Sequence, residues 1–198
     1  MKPDIDALAA VLLRDGVVLL PTDTIYGLHC LATSEHAVER IAAMKERDAD
    51  KPFVVLASSI DQITTIGARI EESTAVLLKK LWPGPLTAVI NLDEPIAASR
   101  GARTIAVRIP DLEWLRDLVS RTGPLASTSV NRSGEPPIQS PRELSSDLQR
   151  RIDALFDAGP LEGKPSTIVD FTKNEPRLIR EGEPRFTQKV WKTLRKSL

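Results

Sequence analysis

The stretch that decides the fold runs Val17-Val18-Leu19-Leu20-Pro21-Thr22-Asp23-Thr24-Ile25-Tyr26-Gly27-Leu28. Its first four residues are all apolar, the pattern of a short strand buried on both faces. Polar residues follow at once. Two Thr hydroxyls, a carboxylate and a Tyr at the C-terminal end of a buried strand lie where mixed α/β sheets build their sites. Turn chemistry accounts for Thr and Asp equally well, because both types satisfy nearby backbone groups. The segment therefore has two readings, a turn and a site.

Upstream, Leu8, Val11 and Leu12 share one helical face, which predicts a helix over 6–14 with Gly16 as its C-cap. Downstream, Ser34 caps a helix on which Ala37, Ile41 and Met44 align. Phe53 to Leu56 predicts a second buried strand, and a helix over 72–81 stops at Trp82-Pro83-Gly84-Pro85. Further strands are predicted over 86–92, 104–109, 125–128, 152–156, 167–169 and 178–179, with helices over 111–120 and 186–194. Ser140-Pro141-Arg142-Glu143 is a capping box with Pro at the first helical position, predicting a helix to about Gln149. Strands and helices interleave without strict alternation. That predicts an α/β (α+β) fold built on a mixed sheet, in one domain over 1–198.

Composition excludes several function classes. With 27 basic and 27 acidic side chains the formal charge is +0, which argues against a nucleic-acid coat or a membrane-surface protein. One Cys and two His cannot make a self-contained His/Cys zinc site or a disulfide framework. The longest apolar run, Ala7 to Leu13, is far too short to span a membrane. The N-terminus lacks a signal peptide's basic start and apolar core, so a cytoplasmic location is expected.

Three other segments have chemistry to offer. Lys45-Glu46-Arg47 with Lys51-Pro52 places three cations within seven residues. Such a cluster binds phosphates, although basic residues at a helix end also stabilise the macrodipole. Ser127-Thr128-Ser129-Val130-Asn131-Arg132-Ser133-Gly134 follows an apolar strand and lines up hydroxyl and amide donors, without the spacing of a Walker-type loop. Arg108 lies between Val107 and Ile109 on a strand. Turned inward, it needs an anionic partner; turned outward, it needs none.

Taken in order, the segment from Pro21 to Leu28, Lys45-x-Arg47 followed by Lys51-Pro52-Phe53, Leu81 to Thr87, Thr104 to Pro110, Ser127 to Gly134, Ser166 to Asp170 and Leu178 to Gly182 resemble the YrdC family of threonylcarbamoyl-AMP synthases. The resemblance implies a twisted mixed β-sheet with surrounding helices and a large concave cavity. It implies formation of threonylcarbamoyl-adenylate and pyrophosphate from ATP, bicarbonate and L-threonine. Mg²⁺ would accompany ATP, and no metal would be held by protein side chains. A downstream transferase would carry the product to tRNA, and no membrane is involved.

By position in these motifs, Lys45 and Arg47 would be catalytic. Thr24, Tyr26, Arg108, Ser127 and Ser166 would form the threonine side. Lys45, Arg47, Lys51, Thr104, Ser129, Asn131 and Arg180 would hold ATP. Leu56 stands where some relatives carry His, Val130 where Ala is common, and Pro137 where relatives often carry Ser. Two alternatives remain: a non-catalytic RNA-binding module, and a carbamoyl-adenylating enzyme with another acceptor. An aromatic content of 4% leaves the first few stacking platforms. The second is expected to need partner domains in a longer chain.

Overall fold

Val18 to Pro21 form the opening strand, and all four residues are buried, as an all-apolar run requires. A computed structural model describes residues 2–195 except 47, 49 and 132–135. In chain order its first elements are α1 (Ile5–Leu12), β1 (Val18–Pro21), β2 (Tyr26–Leu31), α2 (Glu35–Met44), β3 (Val54–Leu56), α3 (Ile60–Thr65), β4 (Ala68–Arg69) and α4 (Glu72–Lys79). There follow β5 (Leu86–Leu92), β6 (Thr104–Arg108), α5 (Glu113–Thr122), β7 (Leu125–Ser129), α6 (Ser146–Arg151), β8 (Ala154–Leu155), β9 (Thr167–Asp170), β10 (Arg177–Arg180) and α7 (Pro184–Arg195).

Local chemistry sets the helix ends. Asp4 accepts from the Ala7 amide at 3.0 Å to start α1, and Ser34 accepts from the Ala37 amide at 3.1 Å to start α2. The exit from α1 differs from the expected glycine cap. Asp15 takes the left-handed conformation, with φ 59. Gly16 is required for a different reason: a β-carbon there would lie 2.4 Å from Val11 Cγ1 and 2.6 Å from the Val11 carbonyl oxygen. The buried stripe of α1 is completed by Ala9, not Val11.

The helix expected over 141–149 is two pieces. The capping box forms, with the Glu143 carboxylate accepting from the Ser140 amide at 2.8 Å, but it closes only a 3₁₀ turn over Pro141–Glu143. Leu144 is extended, and Ser145 then caps α6 at the Leu148 amide, 3.3 Å away. The strand expected over 152–156 shrinks to β8. Three elements escaped the sequence reading: β2, α3 and β4.

Among the described residues the strands form one mixed sheet in the order β10-β9-β5-β6-β3-β7-β2-β1-β8, with β4 beside β5. The pairs β9/β5, β6/β3 and β1/β8 are parallel and the others antiparallel. Side-chain alternation gives the sheet two unlike faces. Leu19, Val55, Val107 and Ala126 join the main core with residues from α2, α3, α4 and α7. Val18, Leu20, Leu56 and Leu125 join a second core with Leu8 and Leu12 of α1 and Leu115 and Leu118 of α5. Each leucine so buried contributes on the order of 2 kcal/mol. This second core covers only part of its face, and the cavity occupies a neighbouring part of the same face.

Candidate active site

The turn between β1 and β2 is built by one hydroxyl. Thr22 Oγ1 accepts from the Thr24 amide at 3.1 Å and the Ile25 amide at 3.2 Å, and donates to the Ile25 carbonyl at 2.9 Å. This is the turn chemistry its composition allowed. It leaves the Asp23 side chain to other partners. With the Thr22 proton on the Ile25 carbonyl, Thr24 Oγ1 donates to Thr22 Oγ1 at 2.8 Å.

Arg108 meets this turn from β6. Thr104, Ala106 and Arg108 alternate onto the cavity face, while Ile105 and Val107 enter the main core. Register carries the same face across the sheet: Ala106 lies beside Val54 of β3, Val54 beside Ser127 of β7, and Ser129 beside Gly27 of β2. Arg108 points inward, and its side chain is 6% exposed. Its Nη1 donates to Thr24 Oγ1 at 2.8 Å and its Nη2 to Asp23 Oδ1. Burial lowers the Arg108 pKa, the Asp23 carboxylate opposes that change, and nearby Arg180 adds to it. A guanidinium keeps its proton under such pressure.

Ser166 and Arg180 close another wall. Arg180 Nε and Nη2 both donate to the Ser166 carbonyl, at 3.1 and 2.9 Å. Ser166 Oγ and Thr87 Oγ1 are 2.7 Å apart. Burial lowers the Arg180 pKa. Lys45, the C-cap residue of α2, donates from Nζ to Asn131 Oδ1 at 3.0 Å and to the Asn131 carbonyl. Ser129 Oγ donates to the same Oδ1 at 2.7 Å. These three residues form one unit at the end of β7.

The resulting cavity has a volume of about 450 Å³, within the usual range for small-molecule sites. Of the sequence-predicted residues, Thr24, Tyr26, Lys51, Thr104, Arg108, Ser127, Ser129, Ser166 and Arg180 line it. Lys45 and Asn131 adjoin it through Ser129. Arg47, together with 132–134 of the Ser127–Gly134 segment, lies outside the described residues. Arg180, expected on the nucleotide side, is held against Ser166, expected on the threonine side, so the two sets meet at this wall. Leu56 lines the cavity and also packs in the second core, which makes its floor apolar where some relatives place His.

Tyr26 lines the cavity, but its hydroxyl is engaged elsewhere. It donates to the Gly159 carbonyl at 2.8 Å and accepts from the Ala158 amide at 3.0 Å. The phenol thus pins the strap that joins β8 to β9, whose later residues Pro165 and Ser166 line the cavity. Burial raises the Tyr26 pKa. Sequence reasoning missed this strap, because nothing local marks a glycine that packs against a distant turn. His29, for which the sequence leaves a structural and a catalytic role equally open, is fully buried in β2. Burial pushes the His29 pKa down to about 4, and its Nε2 lies 3.4 Å from the Leu20 carbonyl. The buried thiol of Cys30 is pushed up to about 12, the behaviour of a core residue and not of a nucleophile.

The family profile for Sua5, YciO and YrdC proteins, described as "Telomere recombination", matches residues 10–182. The chain belongs to this family. A threonylcarbamoyl-AMP synthase of Pyrococcus abyssi is 37% identical over 180 residues, covering 88% of this chain and 53% of that protein. A threonylcarbamoyl-AMP synthase of Xanthomonas campestris is 38% identical over 179 residues, covering 85% of this chain and 93% of that protein. The crystal structure of P. abyssi Sua5 complexed with L-threonine superposes with a TM-score of 0.85 at 34% identity, covering 94% of this chain and 56% of that one. The chain thus spans about half the length of the Pyrococcus protein. These matches bear out the Sua5/YrdC fold, a mixed sheet carrying helices on its faces.

Proposed function

We propose that this family member condenses L-threonine, bicarbonate and ATP into threonylcarbamoyl-adenylate, releasing pyrophosphate for the benefit of tRNA threonylcarbamoyladenosine synthesis. One observation carries the reading: hydroxyls and cations, among them the buried Arg108, converge from separate strands on a single cavity, in a chain similar to a Sua5 solved with L-threonine. In this scheme Arg108 takes the threonine carboxylate and Thr24 its hydroxyl, with Ser127 and Ser166 beside them. Thr104, Ser129, Asn131 and Arg180 hold the nucleotide. Lys45, Arg47 and Lys51 face its phosphates.

The chemistry suits that inventory. The threonine amine adds to the carbon of bicarbonate-derived CO₂, giving a carbamate. A carbamate oxygen then attacks the α-phosphorus, and the α–β bridging oxygen leaves with pyrophosphate. The attacking atom belongs to the substrate, so no Ser or Cys nucleophile is required. Negative charge grows on the phosphates, and fixed cations stabilise it by position and electrostatics. Mg²⁺ would arrive bound to ATP and supply further charge neutralisation. Among the described residues no cluster of three or more His, Cys, Asp or Glu side chains is arranged to hold a metal.

RNA binding in the cavity finds little support. Tyr26 is the one aromatic among the described lining residues, and its hydroxyl is committed to the strap. Among the described residues no helix is long and apolar enough to cross a membrane. We place the protein in the cytoplasm, handing its product to a tRNA-modifying transferase. The test is pyrophosphate release. It should require ATP, bicarbonate and threonine together, and release that is indifferent to threonine would overturn the reading.

A further inference from the structure

The segment from Leu81 to Thr87 has no part in the scheme above, yet its turn joins two walls of the cavity. The Gly84 amide donates to the Ile109 carbonyl at 2.9 Å, next to Arg108. The Pro85 carbonyl accepts from the Thr167 amide at 2.9 Å, next to Ser166. Thr87 ends the segment inside β5, in register with Ile168 of β9. It shares a face with Val89, two residues on, which lines the cavity as Ser166 and Ile168 do. Thr87 itself is fully buried, and its hydroxyl lies 2.7 Å from Ser166 Oγ. Val would fill such a strand position without burying a polar group, so the hydroxyl calls for an explanation.

Proton count supplies one. Among the described residues Thr87 Oγ1 has Ser166 Oγ as its hydrogen-bond partner and no other. Were Ser166 the donor, the Thr87 proton would be buried without an acceptor, which is costly. Thr87 therefore donates to Ser166. Arg180 Nη2 donates to the same Oγ, at 3.4 Å. A hydroxyl oxygen has two lone pairs and one proton. With both lone pairs engaged, Ser166 keeps its proton for the cavity. We infer that Thr87 is a positioning residue: it acts through Ser166, fixing that hydroxyl as a hydrogen-bond donor to the substrate. Ser166 then takes an oxygen of the substrate and offers nothing to an ammonium. The inference rests on the reading of Ser166 as a substrate-side residue.

The test is a double-mutant cycle read by equilibrium dialysis of L-threonine, with ATP as the control ligand. Thr87→Val removes the hydroxyl at nearly constant shape, Thr87→Ser keeps it, and Ser166→Ala removes the group through which it acts. Thr87→Val should weaken threonine binding about fivefold, the loss of one hydrogen bond, and change ATP affinity less than about twofold. Thr87→Ser should stay within about twofold of the native affinity. In the Ser166→Ala background Thr87→Val should add less than about twofold, because its route to the substrate is gone. A Thr87→Val effect of equal size in both backgrounds overturns the inference. So does a loss of threonine and ATP binding together, a Thr87→Ser protein as weak as Thr87→Val, or a Thr87→Val protein with native affinity. If Thr87→Val fails to melt cooperatively, Thr87→Ala takes its place under the same criteria. A native protein that binds threonine but shows an additive cycle sinks the Thr87 role alone. One that does not bind threonine sinks the reading of Ser166 with it.

Discussion

Gly163 lies against the carbonyl of Thr24, so closely that a β-carbon at 163 would sit 1.4 Å from that oxygen. The strap between β8 and β9 therefore packs backbone to backbone on the turn that carries Asp23 and Thr24. Tyr26 ties down the same strap through Ala158 and Gly159. Gly163→Ala must push strap and turn apart. Displacement of a positioning element by about 1 Å costs roughly 100-fold in rate, and that loss is expected in turnover. Gly159→Ala is the control. Its φ of +90 strains a side chain, but nothing crowds a β-carbon there, so about 1 kcal/mol of stability should go with little change in kcat. Near-native turnover in Gly163→Ala would remove the strap from the wall of the site.

The Lys45–Asn131–Ser129 unit yields a second prediction. Lys45 Nζ is held on Asn131, which places a cation where α2 meets the end of β7. Lys45→Ala should lower kcat roughly 100-fold, the usual consequence of losing one electrostatic donor to a developing charge. The melting temperature should change little, since Lys45 is partly exposed at a helix end. On family resemblance Arg47→Ala should behave alike. Steady-state kinetics with a melting curve decides; full activity in both variants would take these cations out of the mechanism.

His29 predicts a pH effect on stability. Its folded pKa of about 4 lies below the ordinary 6.5, chiefly through burial, with the charge of Arg108 adding to the shift. Protons therefore bind the unfolded chain first. Stability contributed by the neutral ring is whole above pH 6.5 and falls as pH drops toward 4. By pH 5 the loss is about 2 kcal/mol relative to pH 7. Urea unfolding at the two pH values should show it, and His29→Gln should flatten the difference. An unchanged midpoint in the native protein would mean that the ring finds a proton-accepting partner when charged.

Much of this molecule was legible before any coordinates. Val18 to Pro21 had to be buried because no residue in the run is polar, and Ser34 had to cap because Ala37, Ile41 and Met44 follow at helical spacing. The elements that escaped lack such patterns. The strand β2 mixes Tyr, Gly, His and Cys with two leucines, so neither alternation nor a continuous apolar run marks it, yet it is buried almost throughout. The two-residue strand β4 exists only through its pairing with β5, and β8, expected as a longer strand, keeps only the two residues that pair with β1. Ser140 to Glu143 shows the converse: a correct capping box that closes one 3₁₀ turn because Ser145 offers a second cap. In the site, the motifs named most of the lining residues. Gly163 was passed over, because its role depends on the distant Thr24 carbonyl, and Asp23 was read only as the carboxylate of its turn, because its partner Arg108 lies 85 positions away.

The most direct test follows a labelled carbon. The protein is incubated with ATP, threonine, Mg²⁺ and ¹³C-bicarbonate, and the mixture is analysed by mass spectrometry. A threonylcarbamoyl-adenylate carrying the label on its carbamoyl carbon, formed with pyrophosphate and lost in the Arg108→Met variant, is the predicted result. Folded protein that binds ATP and threonine yet yields no labelled adenylate would contradict it.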